Sequence, residues 1–369
     1  MKGTRASMTL APWQRLPLLV LGFVALFAGT AAGLARLGWQ LPDAATAVVA
    51  LHGPLMICGF FGCVIALERA VAIGRLWAYA GPLGAGLGTL ALLGGLQREA
   101  PWFYVAGAVV LTAASVDVLR RQPALFTVTL VLGAFAWLAG SARWALGFAV
   151  HEVVPWWIAF LVLTIAGERL ELSRFLPPSP VAVRVFAALL AACVAGLAGG
   201  THGMPWGGPL FAAALLGLAG WLVRQDIARR TVRGKGLTRF IAVALLSGYL
   251  WLAVGAAVAL ASGGLTAGTR GYDAALHAVL IGFVFSMVFG HAPIIFPAVL
   301  HVAVPYHPSF YLPLALLHCS LLIRLVGDAT GRFEILRIGG ALNALALAAF
   351  IVGMVSAVLR GRWASKESA

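Results

Sequence analysis

The chain has 369 residues, 62% of them hydrophobic and only 10% charged, whereas an average soluble domain is about 25% charged. That balance excludes a water-soluble globular domain. The formal net charge of +14 does not point to nucleic acid, because the Lys and Arg sit in short stretches between apolar runs, where they orient a membrane protein.

Apolar runs of about 20 residues follow one another along the whole length, as membrane-crossing helices require. Barrel strands would be about 10 residues of alternating pattern, and that alternation is absent. Lipid then leaves a helical bundle. The expected fold is all-α, a polytopic membrane protein. Cutting at charged, Pro and Gly positions predicts twelve spans, near 16–37, 44–67, 76–96, 101–119, 123–147, 153–172, 180–200, 206–224, 238–262, 272–298, 309–328 and 335–359. The first run, Leu16 to Leu37, is too long for a signal-peptide core and lacks a convincing cleavage site, so it reads as a retained first span. No linker is long enough to separate domains. Residues 1–369 therefore read as one integral membrane domain, whose only substantial loop runs from Arg224 to Arg239. Cys58, Cys63, Cys193 and Cys319 are scattered through apolar segments and read as small core residues, with neither a disulfide framework nor a metal motif.

With the N-terminus in the cytoplasm, 19 of the 26 Lys and Arg fall on the inner side and seven on the outer side. The bias predicts a bacterial-type inner membrane protein with both termini cytoplasmic.

Histidines mark three of the spans. Span 2 opens on Leu51-His52, span 10 on Leu276-His277, and each pair is followed three residues after the His by a Leu (Leu55, Leu280) and then by phenylalanines (Phe60 and Phe61; Phe283 and Phe285). Span 6 opens at His151. Spans 2 and 6 also share an ending, Ala66-Leu67-Glu68-Arg69 and Ala166-Gly167-Glu168-Arg169. The spacing points to three successive four-helix units; coincidence among Ala- and Leu-rich helices is the alternative. The Glu-Arg pairs read as helix ends from which Arg snorkels and Glu pairs with it, with a proton path as the other reading.

A histidine inside a span is costly enough to suggest function. At about 1.5 Å rise per residue, His52 and His277 lie roughly 8–12 Å below the outer ends of their helices. Two neutral imidazoles opposed across a bundle suit axial ligation of one haem iron. The apolar and aromatic residues that follow would wall the macrocycle, and Arg36, Arg143 and Arg270 could pair with its propionates. A second group lies deeper. His291 follows His277 by fourteen residues, about 40° short of four turns and about 21 Å along the axis, within Gly290-His291-Ala292-Pro293-Ile294-Ile295-Phe296-Pro297. Two prolines four apart are expected to distort the helix and free carbonyls. His291, His318 and His301 are the candidate residues for a second metal or substrate site, and imidazole suits copper, iron or zinc. His151 sits beside Glu152 and has an interfacial reading; His202 and His307 read as loop residues.

Twelve spans in three four-helix units, with the segment Leu51-His52-Gly53-Pro54-Leu55-Met56-Ile57-Cys58-Gly59-Phe60-Phe61, resemble subunit I of the haem-copper oxidases, whose spans 2 and 10 hold the low-spin haem. In length and in the stretch from Leu276-His277-Ala278 to His301, the chain is more similar to the NnrS family. Those are haem- and copper-containing membrane proteins associated with nitric oxide metabolism. The resemblance implies haem b on His52 and His277, copper as a second metal, and a small gas ligand or a redox partner. The chain departs from the oxidases in spans 6 and 7, which lack their copper-binding histidines, and in span 10, whose two histidines are fourteen apart. A binuclear oxygen-reducing centre and proton pumping are therefore unsupported.

Two other readings compete. One is a cofactor-free transporter, drawn from the repeats, the Pro-containing span 10 and the 44 glycines. The other is a structural or assembly subunit whose histidines only pack.

Overall fold

The computed structural model describes residues 9–41, 48–172 and 178–367, the side chains of Arg270 and of 363–367 excepted. The start of predicted span 2 at 44–47, Lys2, Arg5 and Arg174, and the side chains of Arg270 and Lys366, lie outside the described residues.

The fold is all-α, with no strand among the described residues, and twelve helices are long and apolar enough to cross a membrane. They match the twelve predicted spans one for one. They are α1 (Pro12–Arg36), α2 (Val49–Ile73), α3 (Leu76–Leu93), α4 (Ala100–Arg121), α5 (Leu125–Ala145), α6 (Val150–Leu172), α7 (Pro180–Thr201), α8 (Gly207–Gln225), α9 (Gly236–Ala261), α10 (Gly271–Leu300), α11 (Pro308–Thr330) and α12 (Phe333–Arg362). Local chemistry sets several ends. Pro12 occupies the first helical position of α1, where a missing N–H costs nothing. Ser179 caps α7 by accepting from the Ala182 N–H at 3.2 Å. Gly74 and Gly331 close α2 and α11 at φ +66° and +67°, a left-handed conformation that favours glycine.

Burial is uneven. Two-thirds of the apolar window is buried in α2 and in α6 (67% each) and nearly as much in α10 (61%), against 33% in α1, α4, α7 and α12. The three helices that open near His52, His151 and His277 are thus among the most enclosed, as spans carrying polar groups should be.

Packing divides the chain into two compact units, the first holding residues up to Leu163 with Ala298–His301, the second holding Thr164–Pro297 and the residues from Val302 on. In the first unit, α2 is surrounded by α1, α3 and α4. Its core is aromatic: Trp137 stacks on Phe160 at 5.2 Å, and Trp144 meets Tyr104 at 6.0 Å and Trp157 edge-on at 5.7 Å. Arg15 is buried here and donates to Val299 O at 2.7 Å and Leu10 O at 2.9 Å. In the second unit, α7 pairs with α8, α11 pairs with α12, and α9 lies along α10. Phe289 of α10 stacks on Phe350 of α12 at 3.8 Å. Cys58, Cys63 and Cys193 are buried as expected, whereas Cys319 is exposed.

Two of the spans contain π-helix. In α2, a turn of 3-10 helix (Val49–Leu51) and one of α-helix (His52–Pro54) lead into a π-helix over Leu55–Phe61. In α10, the α-helix ends at His277 and a π-helix runs over Ala278–Phe285. α-Helix resumes over Ser286–Leu300 and carries Pro293 and Pro297 inside it. The distortion expected at those prolines thus falls a full segment earlier. π-Helix is rare, and frequent at functional sites.

Candidate functional site

His52 belongs to the first unit and is held by α1. Its Nδ1 is 2.7 Å from the carbonyl of Gly29. A carbonyl only accepts, so Nδ1 carries the proton and the ring lone pair sits on Nε2. The ring lies against Gly33, where an added Cβ would fall 2.8 Å from both Nδ1 and Cε1. One turn away, a Cβ at Gly29 would fall 2.7 Å from Met56 Sδ. Gly29-Thr30-Ala31-Ala32-Gly33 is therefore a small-xxx-small face that lets α2 seat His52 and Met56 on the α1 backbone. Phe60 and Phe61, expected to wall a macrocycle, are buried in the core of this unit, 4.9 Å apart, with Phe23 at 6.1 Å from Phe60.

His277 belongs to the second unit. Its Nδ1 is 2.9 Å from Asp273 O and 3.3 Å from Asp273 Oδ1, so here too Nδ1 carries the proton and Nε2 the lone pair. Asp273 is gripped by Arg324 of α11, with Nε at 3.1 Å and Nη2 at 2.9 Å from Oδ2 and Nη2 at 3.2 Å from Oδ1. Arg324 is buried, and Asp328, one turn further along α11, is buried beside Asp273. The two histidines share a sequence signature, an α-to-π transition and a tautomer. His52 Nδ1 meets a neutral carbonyl on another helix, and His277 Nδ1 meets a carbonyl and a clamped carboxylate one turn back.

His291 is committed elsewhere. Its Nδ1 donates to Met287 O at 2.7 Å, and its Nε2 accepts from Arg169 Nη1 at 3.3 Å. Arg169, 5% exposed, also donates from Nε to Asp226 Oδ2 at 2.7 Å and from Nη2 to Asp226 Oδ1 at 3.0 Å. Tyr249 OH donates to Asp226 Oδ2 at 2.6 Å, and the Ala228 N–H to Oδ1 at 2.7 Å. Arg169 therefore does not snorkel to water or answer to Glu168 alone. It is turned inward and neutralised by a carboxylate from beyond the end of α8.

His318 is hydrogen-bonded through both nitrogens. Trp251 Nε1, which can only donate, is 3.0 Å from Nδ1, which leaves Nε2–H to donate to Ser247 Oγ at 3.0 Å. His301 is exposed and follows α10 at φ +55°, the one described non-glycine residue with positive φ, as a helix-terminating position. His291, His318 and His301 are thus not brought together as a ligand set. Among the described residues, no group of three or more His, Cys, Asp or Glu side chains is placed to hold a metal ion.

His151 is exposed at the start of α6, His202 caps the end of α7, and the His307 ring caps a short 3-10 turn by accepting from the Ser309 N–H at 3.2 Å. Of the arginines expected near propionates, Arg36 is exposed, Arg143 lies 3.8 Å over the Phe148 ring, and the side chain of Arg270 lies outside the described residues.

Sequence reasoning passed over Asp273, Arg324, Asp226 and Tyr249. Asp273 and Arg324 had a signal: an acid four residues before His277 on one helix face, and a charge inside an apolar run. Asp226 and Tyr249 meet Arg169 from 57 and 80 positions away along the chain, and no local pattern announces that.

The model of one protein family, described as "Domain of unknown function (DUF8744)", matches residues 15–359. No curated protein matches the chain.

Proposed function

The chain belongs to the DUF8744 family, which leaves function to be argued from residues, and we propose that it is an integral membrane protein that binds haem b through His52 and His277. One observation carries this reading. Two Leu-His pairs, in helices eight apart, each stand where the helix turns π, each with Nδ1–H bonded to a carbonyl. A second-shell bond of this kind fixes the tautomer and orients Nε2, as a ligating histidine requires. Each imidazole, taken by itself, thus has the tautomer that a haem ligand needs, which supports the reading. The resemblance of span 2 to the haem-copper oxidases and of the whole chain to the NnrS family supports the same cofactor.

Bound haem would supply one-electron chemistry, or a site for nitric oxide if one of the two histidines leaves the iron. With both histidines engaged, electron transfer with a redox partner is the stronger reading. The basic-residue asymmetry supports a bacterial-type inner membrane with both termini cytoplasmic. Copper enters through the NnrS resemblance and through the suitability of imidazole as its ligand. The proposed haem site does not call on His291 or His318, whose ring nitrogens serve Arg169, Met287, Trp251 and Ser247.

The test is an absorption spectrum with metal analysis. Protein purified after expression with haem supply is expected to show a Soret band, lost in His52→Ala and His277→Ala. Loss in only one variant would leave one histidine holding the haem and favour gas binding. The alternative, a cofactor-free transporter, draws on the buried Arg169–Asp226–Tyr249–His291 network. Colourless, metal-free protein that moves a solute into liposomes would replace the haem reading with that one.

A further inference from the structure

Residues 224–239 carry six cations, Arg224, Arg229, Arg230, Arg233, Lys235 and Arg239, and a single acid, Asp226. All six cations are exposed, and none of them makes an ion pair among the described residues. Asp226 does not answer them. It is turned inward, where Arg169, Tyr249 and the Ala228 N–H occupy both of its oxygens. The chain holds no other acid between Glu171 and Asp273. The patch stands where α8 ends, at Gln225, and α9 begins, at Gly236. The ends of two spans set its depth at the level of lipid headgroups.

Orienting the spans accounts for a basic loop, but not for two details of this one. Arg239 lies in the first turn of α9, where the helix's own partial positive charge disfavours a cation. That turn is also capped by no side chain. An anion from outside the protein suits both. Aromatic side chains stand beside the patch. Phe240, next to Arg239, packs edge-on against Phe310 at 5.7 Å and Tyr311 at 5.2 Å, and Tyr306 meets Phe310 edge-on at 6.0 Å. Tyr306 and Tyr311 are half-buried, as amphipathic rings at the headgroup level are.

We infer that the 224–239 segment, with Tyr306 and Tyr311 beside it, is a binding surface for anionic phospholipid headgroups in the leaflet on the side read as cytoplasmic. Guanidinium forks suit the headgroup phosphate, and the open first turn of α9 adds its partial positive charge. Arg229 is already placed, because its Nη1 donates to Arg224 O at 2.6 Å and holds it against the end of α8. Every residue of the surface belongs to the second unit, and the inference does not depend on the haem reading.

The experiment is a melting-temperature titration of the full-length, delipidated protein in detergent, with phosphatidylglycerol and, separately, with phosphatidylcholine. Phosphatidylglycerol is expected to stabilise the protein more strongly. A cation near an anionic surface is worth about fivefold in affinity, so Arg230→Gln with Arg233→Gln should raise the half-saturating phosphatidylglycerol concentration about 25-fold. Arg98→Gln with Arg332→Gln removes two exposed cations read as lying on the outer side and should leave it unchanged. Salt tests the parent protein without any substitution: going from about 0.1 M to about 1 M shortens the screening length from about 10 Å to about 3 Å and should abolish the preference. Equal stabilisation by the two lipids would overturn the inference, and so would a preference that survives in the Arg230, Arg233 variant or at high salt. Inorganic phosphate that stabilises the protein as phosphatidylglycerol does would assign the surface to a soluble anion and overturn the lipid partner.

Discussion

Arg169 and Asp226 form a two-pronged ion pair inside the second unit, Nε to Oδ2 at 2.7 Å and Nη2 to Oδ1 at 3.0 Å, each residue 5% exposed. Every oxygen of the carboxylate is answered twice, once by the guanidinium and once by Tyr249 or the Ala228 N–H. Breaking such a pair from one side leaves a buried charge unmatched, which costs about 3–5 kcal/mol. Asp226→Asn is therefore expected to lower stability by that amount in thermal denaturation of detergent-solubilised protein. Tyr249→Phe removes one hydrogen bond to a charged group and should cost about 1.5–3 kcal/mol. The double change Arg169→Met with Asp226→Leu, which removes both charges, should be far milder than Asp226→Asn alone. A double variant as unstable as the single one would mean that the pair is not the unit that matters.

Gly33 sets the position of the His52 ring. A methyl there would overlap Nδ1 and Cε1 at 2.8 Å, so Gly33→Ala must push the imidazole off the Gly29 carbonyl. The expected outcome is a destabilisation of about 1–3 kcal/mol from overpacking, together with a reduced haem-to-protein ratio. Gly220→Ala, with nothing within 4 Å of its added carbon, should leave both unchanged or raise stability slightly. An unaltered Soret band in Gly33→Ala would show that the α1 contact does not fix His52.

Asn343 of α12 is 4% exposed, and among the described residues neither atom of its amide finds a hydrogen-bond partner. An unsatisfied buried polar group costs about 1–3 kcal/mol. Asn343→Leu, close to it in volume, is expected to raise the melting temperature. A lower melting temperature would show instead that the amide is bonded in the membrane-embedded protein.

The twelve spans were legible because lipid demands an apolar run of fixed length, and the punctuation of Arg, Pro and Gly gives their ends to within a few residues. The repeated Leu-His pairs were legible for the same reason: polar residues stand out against such a background. The π geometry of Leu55–Phe61 and Ala278–Phe285 was not, since nothing in the composition of those segments separates five-residue from four-residue hydrogen-bond spacing. Pro293 and Pro297 do not mark the π distortion, because a helix end near Leu300 accommodates them and His301 terminates it. Arg169 was placed at the right end of its helix but facing the wrong way. Depth along a helix can be counted from a sequence, while the direction of a guanidinium depends on a carboxylate that arrives from elsewhere in the chain.

A π-helical segment carries a surplus residue relative to the α-helix around it. Remove one residue between Leu55 and Phe61, or between Ala278 and Phe285, and the helix can relax to ordinary geometry. A π turn holds more residues than the 3.6 of an α turn, so the part preceding the deletion would then turn by a few tens of degrees against the part following it, less than the roughly 100° of a deletion within α-helix. His52 and His277 lie just ahead of those segments. Their bearing is thus written as a length, and a single-codon deletion several residues away would re-aim either imidazole without replacing any side chain that touches it.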